Sequence, residues 1–168
     1  MAIRVVRLGT PRARGEGVRL GTVRLLPRGV RKEDYARRNF FDVWLPEVAP
    51  SRELVAYAQA QPWTERRWAA YAKRYLREMA RPEAQRVVAL LGALGRRANF
   101  SIGCYCEDPW RCHRSLLGEL LRAHGAKVAI PRSSSRPQSH SRSRRTHRAT
   151  GRRPRRTASG AAPRSAPD

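Results

Sequence analysis

The sequence predicts an α/β domain over residues 1–131, with a small, mainly parallel sheet flanked by helices, followed by a disordered tail over residues 132–168. Three observations lead to this prediction. Short β-branched segments occur near both ends of the domain, amphipathic segments with helical spacing lie between them, and residues from Arg132 onwards include no large apolar side chain. Without such side chains a segment cannot offset the conformational entropy of folding, so we expect the tail to be disordered.

Four segments are predicted to be strands: residues 3–8, 18–25, 100–106 and 127–130. The first two are rich in Val, Ile and Leu and end at turns that contain Gly and Pro. A leucine-rich helix separates the last two and ends near Gly125. A strand, a helix and a strand at this spacing predict a parallel pair joined by a crossover helix.

Three helices are predicted in the middle of the domain. Ser51 and Thr64 are residue types that cap helix N-termini, and Pro82 suits a first helical turn. The segment after each of them carries apolar residues at helical spacing. We interpret these stripes as core packing.

Charge and composition set limits on the partners. The chain has a net charge of +23, and its residues from 132 onwards contain eleven Arg and one acid, Asp168. This charge favours polyanions, so the tail is a candidate nucleic-acid-binding arm. The alternative is that Arg-rich codon usage extended the chain without a selected role. The tail has no aromatic side chain for base stacking.

Apolar runs and cysteine content predict the compartment. No apolar run approaches the ~20 residues that span a bilayer, so no membrane association is expected. Three cysteines are an odd number, which predicts reduced thiols and a cytoplasmic location rather than a disulfide framework.

Residues 104–114 carry most of the chemistry, between the end of a predicted strand and the start of a helix. Ligands of parallel sheets bind at this edge, and the free N–H groups of a helix N-terminus favour anions. Arg111, His113 and Arg114 add positive charge there. A phosphate-like or sulfate-like anion is therefore the predicted ligand. The alternative is that Glu107 and Asp108 already satisfy these groups.

Cys112 is the candidate nucleophile of this loop. A thiol at the start of a helix, beside His113 and two Arg, is expected to have a lowered pKa. The domain would then be a thiol-based enzyme. The competing interpretation is structural, with Cys104 acting as a small buried apolar residue.

A zinc site is a third possibility. Cys104, Cys106, Cys112 and His113 supply three sulfurs and one nitrogen, a donor set that zinc accepts. Two features argue against it: the spacing differs from the paired Cys-x2-Cys of structural zinc modules, and adjacent side chains at 112 and 113 are expected to diverge. In this interpretation the domain is zinc-stabilised and not catalytic.

Four separated motifs support a family resemblance. They are Arg-Leu-Leu-Pro-Arg-Gly at 24–29, Trp44 to Leu54 with Ala-Pro-Ser at 49–51, the helix with Trp68, Tyr71 and Tyr75, and Cys104 with Asp-Pro at 108–109 and Cys-His-Arg-Ser at 112–115. Together they resemble domain of unknown function 488, especially its YeaO-like branch, over about residues 3–130. The resemblance implies the α/β fold and assigns no activity. Val23 and Leu26 depart from the family pattern, which often has Asp and Trp there.

The resemblance adds Arg28 to the predicted anion site. If the strand before Arg28 and the strand before Arg114 are parallel members of one sheet, the two side chains could flank the same crevice. Otherwise Arg28 is a solvated turn residue. The leading functional hypothesis is thus an anion pocket of Arg28, Arg111, His113 and Arg114, with nucleic-acid binding and a zinc-stabilised domain as alternatives.

Overall fold

The computed structural model describes residues 1–130, which form a five-stranded, all-parallel sheet packed against four α-helices. The strands are β1 (Ile3–Arg7), β2 (Val18–Gly21), β3 (Val43–Trp44), β4 (Phe100–Cys104) and β5 (Val128–Ala129). Their order across the sheet is β3-β2-β4-β1-β5. The predicted α/β class is confirmed, whereas the predicted tail, residues 132–168, lies outside the described residues.

The central strand β4 has both faces covered. All five of its residues are buried, and it pairs in parallel with β1 on one side and β2 on the other. Gly103 is required here because a Cβ at this position would lie 2.2 Å from the Leu8 side chain. Burial on both faces is typical of a central strand in a parallel sheet.

The topology differs from the prediction in one respect. The strands β4 and β5 are parallel, but β1 lies between them, so they are not neighbours. The crossover after β4 thus passes over one strand. The loop between β1 and β2 likewise passes over β4 and contains no helix. Gly17 ends this loop with a φ of +78°, and a Cβ there would lie 2.0 Å from the Asn99 carbonyl oxygen.

Strand lengths also differ from the prediction. The strand β2 ends at Gly21 rather than residue 25, and the next residue, Thr22, donates both its N–H and its hydroxyl to the Gly103 carbonyl. The strand β4 ends at Cys104 rather than residue 106. The edge strand β3 was not predicted, since two residues give no detectable periodicity.

The helices are α1 (Arg52–Gln59), α2 (Glu65–Met79), α3 (Pro82–Gly95) and α4 (His113–Ala123). Their predicted starts are confirmed: the Ser51 and Thr64 side chains accept hydrogen bonds from Leu54 N–H and Arg67 N–H, and Pro82 is the first residue of α3. Buried residues of all four helices join Ile3, Val5, Phe100 and Ile102 of the sheet in one apolar cluster. Within residues 1–130, no helix has the length and apolarity needed to cross a membrane.

The opposite face of the sheet contains a buried ion pair. Arg19 of β2 is 0% exposed, and its guanidinium donates to both carboxylate oxygens of Glu16 at 2.6 and 3.0 Å. The Ser101 hydroxyl donates to the same carboxylate, and the carbonyls of Thr10 and Asn39 accept from Arg19. Both charged groups of this pair therefore have hydrogen-bond partners, and the network links β2 to β4 and to the loops that contain Thr10 and Asn39.

Candidate functional site: a sulfur cluster beside a cavity

The candidate site lies at the carboxyl edge of the sheet. The strand β4 ends at Cys104, its neighbour β2 ends at Gly21, and α4 begins at His113. In parallel sheets this edge is where ligands bind, because the loops that follow the strands converge there. The loop between β4 and α4 contains the other two cysteines of the chain.

The three cysteine sulfurs converge at this edge. The Sγ atoms of Cys104, Cys106 and Cys112 all lie within 4.8 Å of one another, and those of Cys104 and Cys106 are 3.6 Å apart. All three are free thiols; Cys104 and Cys112 are buried, whereas Cys106 is exposed. The structure thus brings together three of the four predicted zinc ligands.

His113, the fourth predicted ligand, adjoins Cys112 in the chain and lies close to its sulfur. Its Nδ1 lies 3.7 Å from the Cys112 Sγ, so the two neighbouring side chains do not diverge as expected. It is, however, outside the set of atoms that lie within 4.8 Å of one another. The His113 Nε2 contacts the Thr22 carbonyl oxygen at 2.6 Å. A carbonyl only accepts, so Nε2 carries the hydrogen, and burial lowers the pKa of His113 to about 4.

Arg114 holds the backbone around the cluster. This side chain is 2% exposed, and its guanidinium donates to the carbonyl oxygens of Val6, Cys104, Cys106 and Glu107 at 2.7 to 3.3 Å. It thereby ties the ends of β1 and β4 to the loop. Its Nε is buried and has no hydrogen-bond partner among the described residues. No carboxylate in residues 1–130 forms an ion pair with Arg114.

The pKa order of the thiols is the reverse of the one expected for Cys112. Hydrogen bonds from the neighbouring thiols and the charge of Arg114 hold the pKa of Cys104 well below its usual value. Burial, followed by the two neighbouring sulfurs, raises the pKa of Cys112 well above its usual value. The premise of a lowered pKa at Cys112 is therefore wrong. The helix start does not expose this thiol, which is 2% exposed.

A cavity of about 150 Å³ adjoins the sulfur cluster. Cys104, Cys106 and His113 line one side of it. The rest of its wall is formed mainly by apolar side chains from the segments after β2 and β3 and from α1: Val23, Leu25, Pro50, Val55 and Ala58. Arg24, Gln59, Tyr71 and Tyr105 complete the lining. The cluster is thus reached from the cavity through Cys104 and Cys106.

The four residues predicted to bind an anion do not meet in one cavity. Arg111 pairs with Glu65 and lies over the Trp68 ring, 5.8 Å from its centroid. Arg28 is exposed and lines a neighbouring cavity with Phe40 and Tyr105, and it is not among the residues that line the cavity beside the sulfurs. Arg114 is committed to carbonyls and His113 to Thr22, as described above. The predicted crevice between Arg28 and Arg114 is therefore not formed.

The alternative interpretation, in which Glu107 and Asp108 satisfy the helix N-terminus and the cations beside it, is also not formed. Glu107 pairs with Arg7 at 2.9 Å, and Asp108 accepts from the Trp110 N–H. The residue before α4 is Cys112, whose side chain makes no capping hydrogen bond, and the first turn contains no acid. The first turn of α4 therefore has no acidic side chain of its own to supply the negative charge that a helix N-terminus favours.

Sequence reasoning missed most of the cavity wall. Arg24 lies in the first family motif, yet its role was not predicted: its Nε and Nη2 donate to the carbonyls of Pro50 and Ala49 at 3.0 Å. Val55 and Ala58 belong to a helical stripe that was interpreted as core packing. Val23, which stands where the family often has Asp, lines the cavity as well, so this chain presents a methyl-bearing wall there.

Comparison with known proteins identifies the family. A model described as the active DUF488-N3 subclade matches residues 3–125, which is most of the chain. No curated protein and no solved structure compared with the chain matches it significantly. The match confirms the resemblance at the level of the family; the YeaO-like branch stays a prediction. The chain belongs to the DUF488 family.

Proposed function

We propose that this domain is a zinc protein whose metal is bound by the thiolates of Cys104, Cys106 and Cys112 beside the cavity. One observation carries the proposal: the sulfurs of Cys104, at the end of β4, Cys106, in the following loop, and Cys112, at the start of α4, converge within 4.8 Å without forming a disulfide. Thiolate sulfurs are the donors that select zinc and other soft divalent cations. The domain's role is then to present this cation at the carboxyl edge of its sheet.

The distances support this ligand set. With Zn–S bonds of about 2.3 Å in a tetrahedron, two sulfur ligands lie about 3.8 Å apart. The Cys104–Cys106 separation of 3.6 Å is close to that value, and the remaining separations, up to 4.8 Å, need only small side-chain rotations. The ligands therefore require little rearrangement on binding.

The charge balance gives independent support. A zinc ion with three thiolates carries a net charge of −1. Arg114, buried against the same loop without a carboxylate partner in the described residues, supplies +1. A buried charge is costly unless it is paired, so the metal cluster and Arg114 stabilise each other. Arg114 also orients two ligand residues, because it donates to the carbonyls of Cys104 and Cys106.

The other functional hypotheses have less support. The anion pocket lacks converging side chains, and Cys112 is buried with a raised pKa, which disfavours it as a nucleophile. Nucleic-acid binding depends on the general positive charge and on a tail outside the described residues, so it stays a prediction. The description of the matching subclade as active is compatible with a metal that has a catalytic role.

The test is zinc binding by the full chain under reducing conditions. We expect one zinc per chain with an affinity that a metal-sensitive dye can compete against, and we expect Cys104→Ser and Cys112→Ser to weaken it by at least about 100-fold. Because His140 and His147 of the tail are also potential donors, a variant with all three cysteines changed to Ser is the matched control. Equal zinc binding by that variant would refute the proposal.

Thermal unfolding adds a second measurement. A ligand that binds only the folded state stabilises it by RT ln(1 + [L]/Kd), about 4 kcal/mol at 1,000 times Kd. We therefore expect a strong chelator to lower the Tm of the zinc-loaded protein by several degrees and to leave the triple Ser variant unchanged. An identical Tm with and without chelator in the wild type would contradict a zinc site that is part of the fold.

A further inference from the structure

The geometry points to the residue that completes the metal site: we infer that the Nδ1 of His113 is the fourth zinc ligand, so that the chain itself supplies three sulfurs and one nitrogen. This inference rests on the proposed zinc site and adds a ligand residue to it. It is carried by the distance from Nδ1 to the nearest sulfur, by the hydrogen bond on the other ring nitrogen and by the burial of the ring.

The Nδ1 of His113 lies at the distance from the Cys112 sulfur that two ligands of one zinc ion require. In a tetrahedral site with a Zn–S bond of about 2.3 Å and a Zn–N bond of about 2.0–2.1 Å, the sulfur and the nitrogen lie about 3.5 Å apart. The observed separation between the Cys112 Sγ and the His113 Nδ1 is 3.7 Å. His113 is outside the set of atoms that lie within 4.8 Å of one another, so zinc binding has to bring its ring closer to the other two sulfurs.

The other ring nitrogen determines which atom of His113 is free to bind a metal. Nε2 lies 2.6 Å from the Thr22 carbonyl oxygen, which only accepts, so the hydrogen is on Nε2 and Nδ1 keeps its lone pair. The carbonyl belongs to a residue that is itself held in place, because the N–H and the hydroxyl of Thr22 both donate to the Gly103 carbonyl. A metal-binding histidine almost always donates its second ring N–H to an acceptor of this kind, which orients the ring and fixes its tautomer.

Burial leaves the Nδ1 lone pair with one neighbour. His113 is 3% exposed, and its ring packs against Tyr75 with 5.6 Å between the ring centroids. Within residues 1–130, the Cys112 sulfur is the only hydrogen-bonding partner of Nδ1. In the metal-free chain the Cys112 thiol donates to this lone pair. When the thiol loses its proton to bind zinc, the metal takes the place of that proton between sulfur and nitrogen.

This ligand set has consequences for the site. A neutral imidazole adds no charge, so Arg114 still balances the zinc ion and its three thiolates. Four protein ligands are the arrangement of structural zinc sites. The metal then joins β4, the following loop and α4, while the Thr22 carbonyl links the end of β2 to them. A molecule in the adjoining cavity meets the sulfurs of Cys104 and Cys106, and not an open position on the metal.

NMR of the cadmium-loaded protein tests the inference, because cadmium-113 accepts soft thiolate ligands as zinc does and couples measurably to a nitrogen-15 nucleus that it binds. The probe is this cadmium isotope, added to the reduced full chain with labelled histidines. We expect one histidine to couple to the metal through Nδ1 and to carry its hydrogen on Nε2. Cadmium that is bound by the thiolates without coupling to any histidine would overturn the inference and leave the metal site standing.

Histidine variants assign the coupled residue. Changing His124, His140 and His147 together to Gln leaves His113 as the only imidazole, and this variant should keep both the coupling and the wild-type zinc affinity. His113→Gln should abolish the coupling and raise the Kd for zinc at least about tenfold, as the loss of an outer partner of a zinc ligand already does. The triple Gln variant leaves the buried site intact, so its result does not depend on whether His113→Gln folds.

The outcomes separate the two proposals. A coupling that disappears in the triple Gln variant would assign the nitrogen ligand to another histidine and overturn the inference. Failure of both cadmium and zinc to bind the full chain would instead overturn the proposed function itself.

Discussion

Arg19 and Arg114 are the two largest fully buried side chains of the domain, yet they have different electrostatic partners. Arg19 shares the interior with the carboxylate of Glu16, and carbonyl and hydroxyl groups satisfy what remains. Within residues 1–130, Arg114 has only carbonyl acceptors, and its positive charge helps to lower the pKa of the Cys104 thiol. The first region is complete within the chain. The second becomes electrically balanced only when the thiols are deprotonated, as they are when they bind a metal.

The largest expected effects come from removing either arginine. Arg19→Met leaves the Glu16 carboxylate buried without its cation and should lower the free energy of unfolding by about 3–5 kcal/mol. Arg114→Met strands four carbonyl oxygens and should cost a similar amount, about 3 kcal/mol or more. Urea denaturation of the metal-free proteins measures both.

Zinc affinity should separate the two variants. Arg114→Met also loosens the backbone of two ligand residues, so we expect zinc affinity to fall by about 10- to 100-fold. Arg19→Met, if enough of it folds, should keep the wild-type affinity, because Arg19 contacts no ligand residue. A loss of zinc affinity in both variants, or in neither, would contradict the claim that only Arg114 supports the metal ligands.

A smaller loss of stability is expected at low pH, where the Glu16 carboxylate of the Arg19–Glu16 pair becomes protonated. Burial alone would raise the pKa of Glu16, but hydrogen bonds from Arg19, Ala13 N–H and Ser101 outweigh it and lower the pKa from 4.5 to about 2. Since the folded state binds this proton less readily, the pair stabilises the protein fully above about pH 4.5. The contribution, about 3 kcal/mol, should be lost as the pH falls towards 2.

The control for this pH effect is Glu16→Gln. The variant removes the titrating group and keeps an acceptor for Arg19, so the fall in stability between pH 4.5 and 2 should be smaller than in the wild type by roughly that amount. Denaturation midpoints at several pH values measure it. An acid profile unchanged by the substitution would show that the ion pair does not have the predicted role.

The smallest effect is expected at Arg28. This side chain is exposed, and its substitution by Ala should change the free energy of unfolding by less than about 0.5 kcal/mol and leave zinc affinity unchanged. Calorimetric titration with inorganic phosphate checks the earlier hypothesis of an anion site. Phosphate binding that is lost in Arg28→Ala would restore that hypothesis and argue against the separation of Arg28 from Arg114.

The elements that were predicted well are those whose signals are local. Ser51, Thr64 and Pro82 identify helix starts because capping depends on a few adjacent residues. The position of β5 beside β1 was not predictable, because pairing between distant strands leaves no local pattern. The edge strand β3 is too short to have a period at all.

The same division applies to the site. The cysteines could be named from their residue type and their place between a strand and a helix, and three of them do converge. Burial decides the rest, and it depends on tertiary contacts. The sequence suggests that Arg114 is a free cation, whereas in the structure four carbonyls accept its hydrogen bonds. The sequence likewise suggests that Cys112 is an accessible thiol at a helix start, whereas it is buried. Arg24, which the sequence offered only as part of a motif, is brought to the cavity by the carbonyls of Pro50 and Ala49.

The most direct test of the central claim is X-ray absorption at the zinc edge, on the full chain loaded with one equivalent of zinc. The account predicts three sulfur scatterers at about 2.3 Å and one lighter atom at about 2.0–2.2 Å. A spectrum fitted by nitrogen and oxygen alone, as histidines of the tail would give, would contradict it.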